Sequence, residues 1–123
     1  MVLAPPRMED VKTTASTIVL DREQLREVTL DDEELMKQLL DALIQDTEKH
    51  MPLIEQAIRG MDRQQCARLA HYCKGACSNI GAQSSAWLLE LIERHARLGE
   101  MDECGRQLLL LAGEIDKLRA ESL

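Results

Sequence analysis

Within this 123-residue chain, His71, Lys74 and Gly75 are the residues whose types and spacing suit chemistry. Placed on a helix at about 100° per residue, residues 62–82 divide into two faces. Cys66, Leu69, Ala70, Cys73, Ala76, Cys77 and Ile80 form an apolar stripe fit to pack into a bundle. His71, Gly75 and Ser78 fall on the opposite face, with Lys74 on its flank. A glycine inside an exposed helix costs roughly 1 kcal/mol relative to alanine, so Gly75 needs a reason. Without a Cβ there, a large object can approach His71 from the C-terminal side. Lys74 adds a positive charge within (i, i+3) reach of the imidazole. An exposed imidazole titrates near about 6.5 and is mostly neutral above that, with a lone pair free to attack phosphorus. A cation beside it could offset the arriving negative charge. Gln64 and Arg68 precede His71 on the same face and Ser78 follows two turns on, which makes all three candidate partner contacts.

His71-Tyr-Cys-Lys74-Gly75, followed by Ile80-Gly81-Ala82, resembles the signature of the histidine-containing phosphotransfer (HPt) domains of bacterial multistep phosphorelays. Cys73 stands where the family usually has an apolar residue, a departure that keeps the position buried. The motif spans about a dozen residues, and the surrounding helical pattern extends the likeness over roughly residues 20 to 120. The resemblance implies that His71 accepts a phosphoryl group on its distal nitrogen, Nε2, from the phospho-aspartate of a response-regulator receiver domain. It then passes the group to another receiver aspartate. A hybrid sensor kinase is a further possible partner. The family's chemistry needs no cofactor on this chain, because Mg²⁺ is expected on the receiver. Without a Gly-rich nucleotide loop the chain is expected to be a carrier with no autonomous kinase activity.

Composition narrows the remaining possibilities. Aromatic residues make up only 2% and phenylalanine is missing, while Leu, Ala, Met, Glu and Arg abound, a mixture that favours helices over sheet. A formal net charge of −7 argues against nucleic acid as a partner. No apolar run approaches the roughly 20 residues that span a bilayer, and the N-terminus lacks the pattern of a signal peptide. The expectation is a cytoplasmic monomer with its four cysteines reduced.

The elements that must position His71 follow from the periodicity. Residues 1–19 show no period and are expected to form a disordered arm; residues 20–123 are expected to form the bundle domain. Asp21 can cap a short helix over about residues 22–28. Thr29 to Glu34 reads as a helix start, from which Met36, Leu39, Leu40, Leu43, Ile44, Thr47, Met51, Ile54 and Ile58 trace one long amphipathic helix. Pro52 predicts a kink in it, and Gly60 its end. The His71 helix ends at Gly81. Ser84 or Ser85 is expected to cap a fourth helix whose apolar set is Trp87, Leu88, Leu91, Ile92 and Leu98, closing at Gly99, with Trp87 in the core. A fifth runs over about residues 102–120. Short connections imply antiparallel neighbours. The predicted fold is all-α: an antiparallel up-and-down four-helix bundle with a short extra N-terminal helix.

Two alternatives compete with the phosphoryl carrier. A helical module that docks a receiver without being phosphorylated explains the bundle, but leaves Lys74 and Gly75 without a purpose. A metal-binding bundle is the reading suggested by Cys66, Cys73, Cys77 and Cys104, yet there is no Cys-x-x-Cys and all four match core positions. His50 and His95 lack the lysine-glycine context and are read as structural.

Overall fold

A computed structural model describes residues 18–121 and residue 123. Its helices are α1 (Arg22–Thr29), α2 (Glu33–Arg59), α3 (Arg63–Ile80), α4 (Gln83–Arg97) and α5 (Met101–Arg119). Helices α2 to α5 form the bundle. Each packs on the next in the chain, α5 closes the ring against α2, and α1 lies across α2 and α3. The core is built from Leu40, Leu43, Ile54, Leu89, Ile92, Leu111, Ile115 and Leu118, with all four cysteines in the α3–α5 region buried among them. Most of the predicted arm lies outside the described residues. Of its last residues, Ile18 accepts a backbone hydrogen bond from Ser84 (2.8 Å), and Val19 packs half-buried on the core.

The helix boundaries have local causes. Asp21 caps α1 by accepting from the backbone N–H of Gln24 (3.2 Å). Thr29, read from sequence as part of the α2 start, instead ends α1 and returns its hydroxyl to the carbonyl of Leu25 (2.8 Å). The α2 cap is Asp32, which accepts from Leu35 N–H (3.1 Å). Pro52 lies within α2 without dividing it, and its exposed position puts the missing N–H on the solvent side of the helix. Gly60 ends α2 at φ −83°, a conformation open to any residue. The left-handed residue there is Met61, at φ 56°.

The expected serine cap of α4 gives way to a backbone device. Ala82 is the N-cap residue and makes no side-chain cap bond. Gly81 closes α3 at φ +99°, and the next helix starts two residues later, at Gln83. The N–H groups of Gln83 and Ser84 go to the carbonyls of Gly81 (2.9 Å) and Ile18 (2.8 Å). Ser84 and Ser85 are therefore buried inside the first turn, where the Ser84 hydroxyl donates to Glu114 (2.6 Å).

Gly81 also serves the tertiary fold. Its carbonyl accepts from Asp21 N–H at 2.8 Å, and a Cβ at this position would stand only 2.8 Å from the Asp21 carbonyl oxygen. Both the positive φ and the close approach require glycine. The Gly81-Ala82 pair thus ends the His71 helix and seats α1 against it, with Ala82 fully buried.

Candidate functional site

Asp62 starts α3 by accepting from Gln65 N–H (3.1 Å), and the helix then carries His71 midway along its outer face. The His71 side chain is 64% exposed. Its Nδ1 lies 3.2 Å from both carboxylate oxygens of Glu93, which reaches across from α4. Glu93 is buried and is held by three cationic or potentially cationic groups: His71, Lys74 Nζ at 2.9 Å and Arg97 Nη2 at 2.6 Å. Burial acts to raise the Glu93 pKa, but the hydrogen bonds from Arg97, Lys74 and His71 outweigh it and bring the carboxyl down to about 2.

An ionised carboxylate can only accept hydrogen bonds. Nδ1 of His71 must therefore carry the proton it shares with Glu93, which leaves the lone pair of a neutral ring on Nε2. The carboxylate fixes the tautomer and the ring orientation together. Nothing in the sequence pattern had singled out Glu93. Its signal was an acid four residues before Arg97, on a helix whose other buried positions are apolar or small.

Lys74 is less free than its spacing suggests. Its Nζ bridges Glu90 (2.8 Å) and Glu93 (2.9 Å), and the bond it donates to Glu90 is the largest cause of its raised pKa. The two carboxylates favour the charged ammonium and anchor it one turn beyond His71, while its half-buried stem keeps it beside the exposed face. Gly75 is exposed, and a Cβ built there meets no atom within 4 Å. The space over that turn is open.

Two shallow grooves flank the imidazole. One, of about 610 Å³, is lined by Arg63, Gln64, Ala67, Arg68, His71 and Arg97. The other, of about 390 Å³, is lined by Lys74, Ser78 and Glu90 with Gln24, Gln83, Ala86 and Trp87. The structure therefore brings Gln64 and Arg68 to one side of His71 and Ser78 to the other. Ser78 has a second task, because its carbonyl accepts from Gln24 of α1 at 2.6 Å. Trp87, expected in the core, is only half-buried on the second groove, with Arg94 over its ring at 5.8 Å.

The remaining candidates separate from this site. His50 stacks on exposed Tyr72 (ring centroids 4.7 Å apart) and places Nδ1 2.8 Å from the Asp46 carbonyl oxygen. His95 bonds Glu100 at 2.8 Å. The four thiols are free and buried. Among the described residues no group of three or more His, Cys, Asp or Glu side chains could hold a metal ion.

Acid titration tests the Glu93 network. Glu93 binds a proton less readily in the folded chain than in the unfolded one, so its stabilisation is complete above the unfolded carboxyl pKa of about 4.3. It is then lost as pH falls toward the folded value of about 2. Urea unfolding should show stability falling over that interval, with a shallower fall in Glu93→Gln. An equal slope in the two proteins would show that the carboxylate is not held by its cations.

The all-helical bundle and the sequence that builds it match one family. The model of the Hpt domain matches residues 38–121, and the chain belongs to that family. Its role is that of a phosphotransfer intermediate in phosphorelays, which exchanges phosphoryl groups with receiver domains. Histidine-containing phosphotransfer protein B (HptB) from Pseudomonas aeruginosa PAO1 is similar over 82% of this chain and 88% of its own, at 28% identity and a TM-score of 0.75. A rice protein assigned to the histidine-containing phosphotransfer class shares the fold at 18% identity and a TM-score of 0.72, over 92% of this chain and 88% of that one. No curated protein sequence matches the chain significantly. No helix among the described residues is long and apolar enough to cross a membrane.

Proposed function

We propose that His71 is the phosphoryl acceptor and that Nε2 is the reacting atom. The observation that carries this is the Glu93 carboxylate 3.2 Å from Nδ1, which leaves the lone pair on the other nitrogen of an exposed ring. Nε2 attacks the phosphorus of a receiver's aspartyl phosphate; the N–P bond forms, the P–O bond to the aspartyl oxygen breaks, and the carboxylate leaves. The ring keeps its Nδ1 proton and gains positive charge, which Glu93 offsets. Lys74 sits one turn on, where it attracts the phosphoryl oxygens, and Gly75 leaves the receiver room to approach. Gln64, Arg68 and Ser78 are its flanking contacts. The reverse sequence delivers the group to a second receiver.

The chain brings no cofactor in this scheme. The receiver supplies Mg²⁺ and its own acidic pocket, and the barrier is lowered mainly by positioning and charge. A cytoplasmic monomer exchanging phosphate with response regulators, and with a hybrid sensor kinase where one is present, fits these features.

The test is transfer from a radiolabelled phospho-receiver to the purified chain. The expected label is lost in acid and survives base, as a phosphoramidate bond requires. A base-labile, acid-stable adduct, or no transfer from any receiver tried, would sink the assignment.

A further inference from the structure

The chain carries a net charge of −7, yet the groove beside His71 is lined by Arg63, Arg68 and Arg97. Most of the described arginines are neutralised within the chain. Arg22, Arg59, Arg94, Arg97, Arg106 and Arg119 each reach a carboxylate of their own protein. Among the described residues, Arg26, Arg63 and Arg68 form no such ion pair, and two of these three line the groove.

An exposed guanidinium without an intramolecular acid keeps its planar fork of donors for another molecule. Arg63 is also in close contact with its own chain. Its side chain lies over Gly99, at the turn between α4 and α5, where a Cβ would stand 2.8 Å from Nη1. Arg68 lies one turn before His71, on the same helix face.

We infer that this groove docks the acidic rim of a receiver domain, with Arg63 and Arg68 pairing to carboxylates that flank the phosphorylated aspartate. The inference rests on His71 as the acceptor and adds what selects the donor. Charge complementarity is the argument for this occupant: the pocket that holds Mg²⁺ on a receiver is itself acidic, and the rest of this chain repels it. The arginines act mainly on encounter and orientation, so their effect is sensitive to ionic strength. Receivers with a neutral or basic rim are poor donors.

The experiment compares wild type with the double variant Arg63→Glu/Arg68→Glu, each labelled both by a phospho-receiver and by the small donor phosphoramidate. The receiver rate, divided by the phosphoramidate rate of the same protein, should fall about 100-fold in the variant at low salt, within the range electrostatic steering supplies. Raising the salt should slow the wild type and narrow the gap. Replacing rim acids of the receiver that lie outside its Mg²⁺ pocket with lysine should restore transfer to the variant.

An unchanged ratio would show that the arginines have no part specific to the receiver and overturn the docking surface. So would a loss that is insensitive to salt and not restored by the lysine receiver. Failure of the wild type to take label from either donor would sink the acceptor assignment, a result distinct from a change confined to the receiver arm. Circular dichroism of the variant checks that the bundle is intact.

Discussion

A chain carrying His71→Gln folds to the same bundle and accepts no phosphoryl group. The side chain is 64% exposed, so the substitution leaves no cavity. Glu93 is not orphaned, because Lys74 and Arg97 still hold it. Stability should therefore stay within roughly 0.5 kcal/mol of the wild type, as for most surface changes. Glutamine has no lone pair able to displace the aspartyl oxygen. Removing the nucleophile removes the covalent step, and transfer should fall by at least about 1,000-fold. Single-turnover labelling from a phospho-receiver measures it, and thermal unfolding checks the fold. Residual labelling near the wild-type rate would move the acceptor elsewhere, to His50 or His95. The same variant separates a carrier from a docking module: binding of the receiver persists, while the signal stops.

Gly75→Gln should be more stable than the wild type and nearly inactive. An added Cβ meets nothing within 4 Å, so the side chain enters solvent without disturbing the bundle. Removing glycine from the interior of α3 should contribute up to about 1 kcal/mol. Function moves the other way. The longer side chain fills the space over the turn that follows His71, where the receiver must bring phosphorus to bonding distance of Nε2. A displacement of the order of 1 Å costs about 100-fold in such reactions, and transfer should fall by at least that much. Gly75→Ala should show a similar stabilisation with a much smaller loss. Urea unfolding and transfer rates on the three proteins decide the matter. Wild-type transfer by Gly75→Gln would show that the open space has no part in the reaction.

The opposite signs in that variant explain why part of the site could be read from sequence. A residue that weakens its own helix without relieving a steric conflict stands out against the pattern, and Gly75 did so. His71 and Lys74 stood out by lying on the wet face. Glu93 gave no comparable signal, since its role depends on α4 lying antiparallel to α3 at a particular register. An acid with a basic residue four positions later is common on helices. Trp87 was misplaced for a related reason. Its spacing with Leu88, Leu91 and Ile92 fits an apolar stripe, but the stripe is bounded by Leu88, Leu89 and Ile92, and the indole falls at its edge. The long helices were legible because Leu and Ile recur at three and four. The α4 cap was not, because the carbonyl of Ile18, far away in sequence, does what a serine side chain does elsewhere.

The buried cysteines of α3 bear on how the protein meets oxidants and thiol reagents. Burial pushes the Cys73 thiol up to about 12 and the Cys77 thiol up to about 11. Since the thiolate is the reactive form, both are poor nucleophiles in the folded chain. An electrophile must wait until α3 leaves the bundle, so adducts on these two residues mark opening events and not surface accessibility. The helix that presents a nucleophilic histidine to its partners thus keeps the Cys73 and Cys77 sulfur atoms chemically silent, a few residues away, for as long as the fold holds.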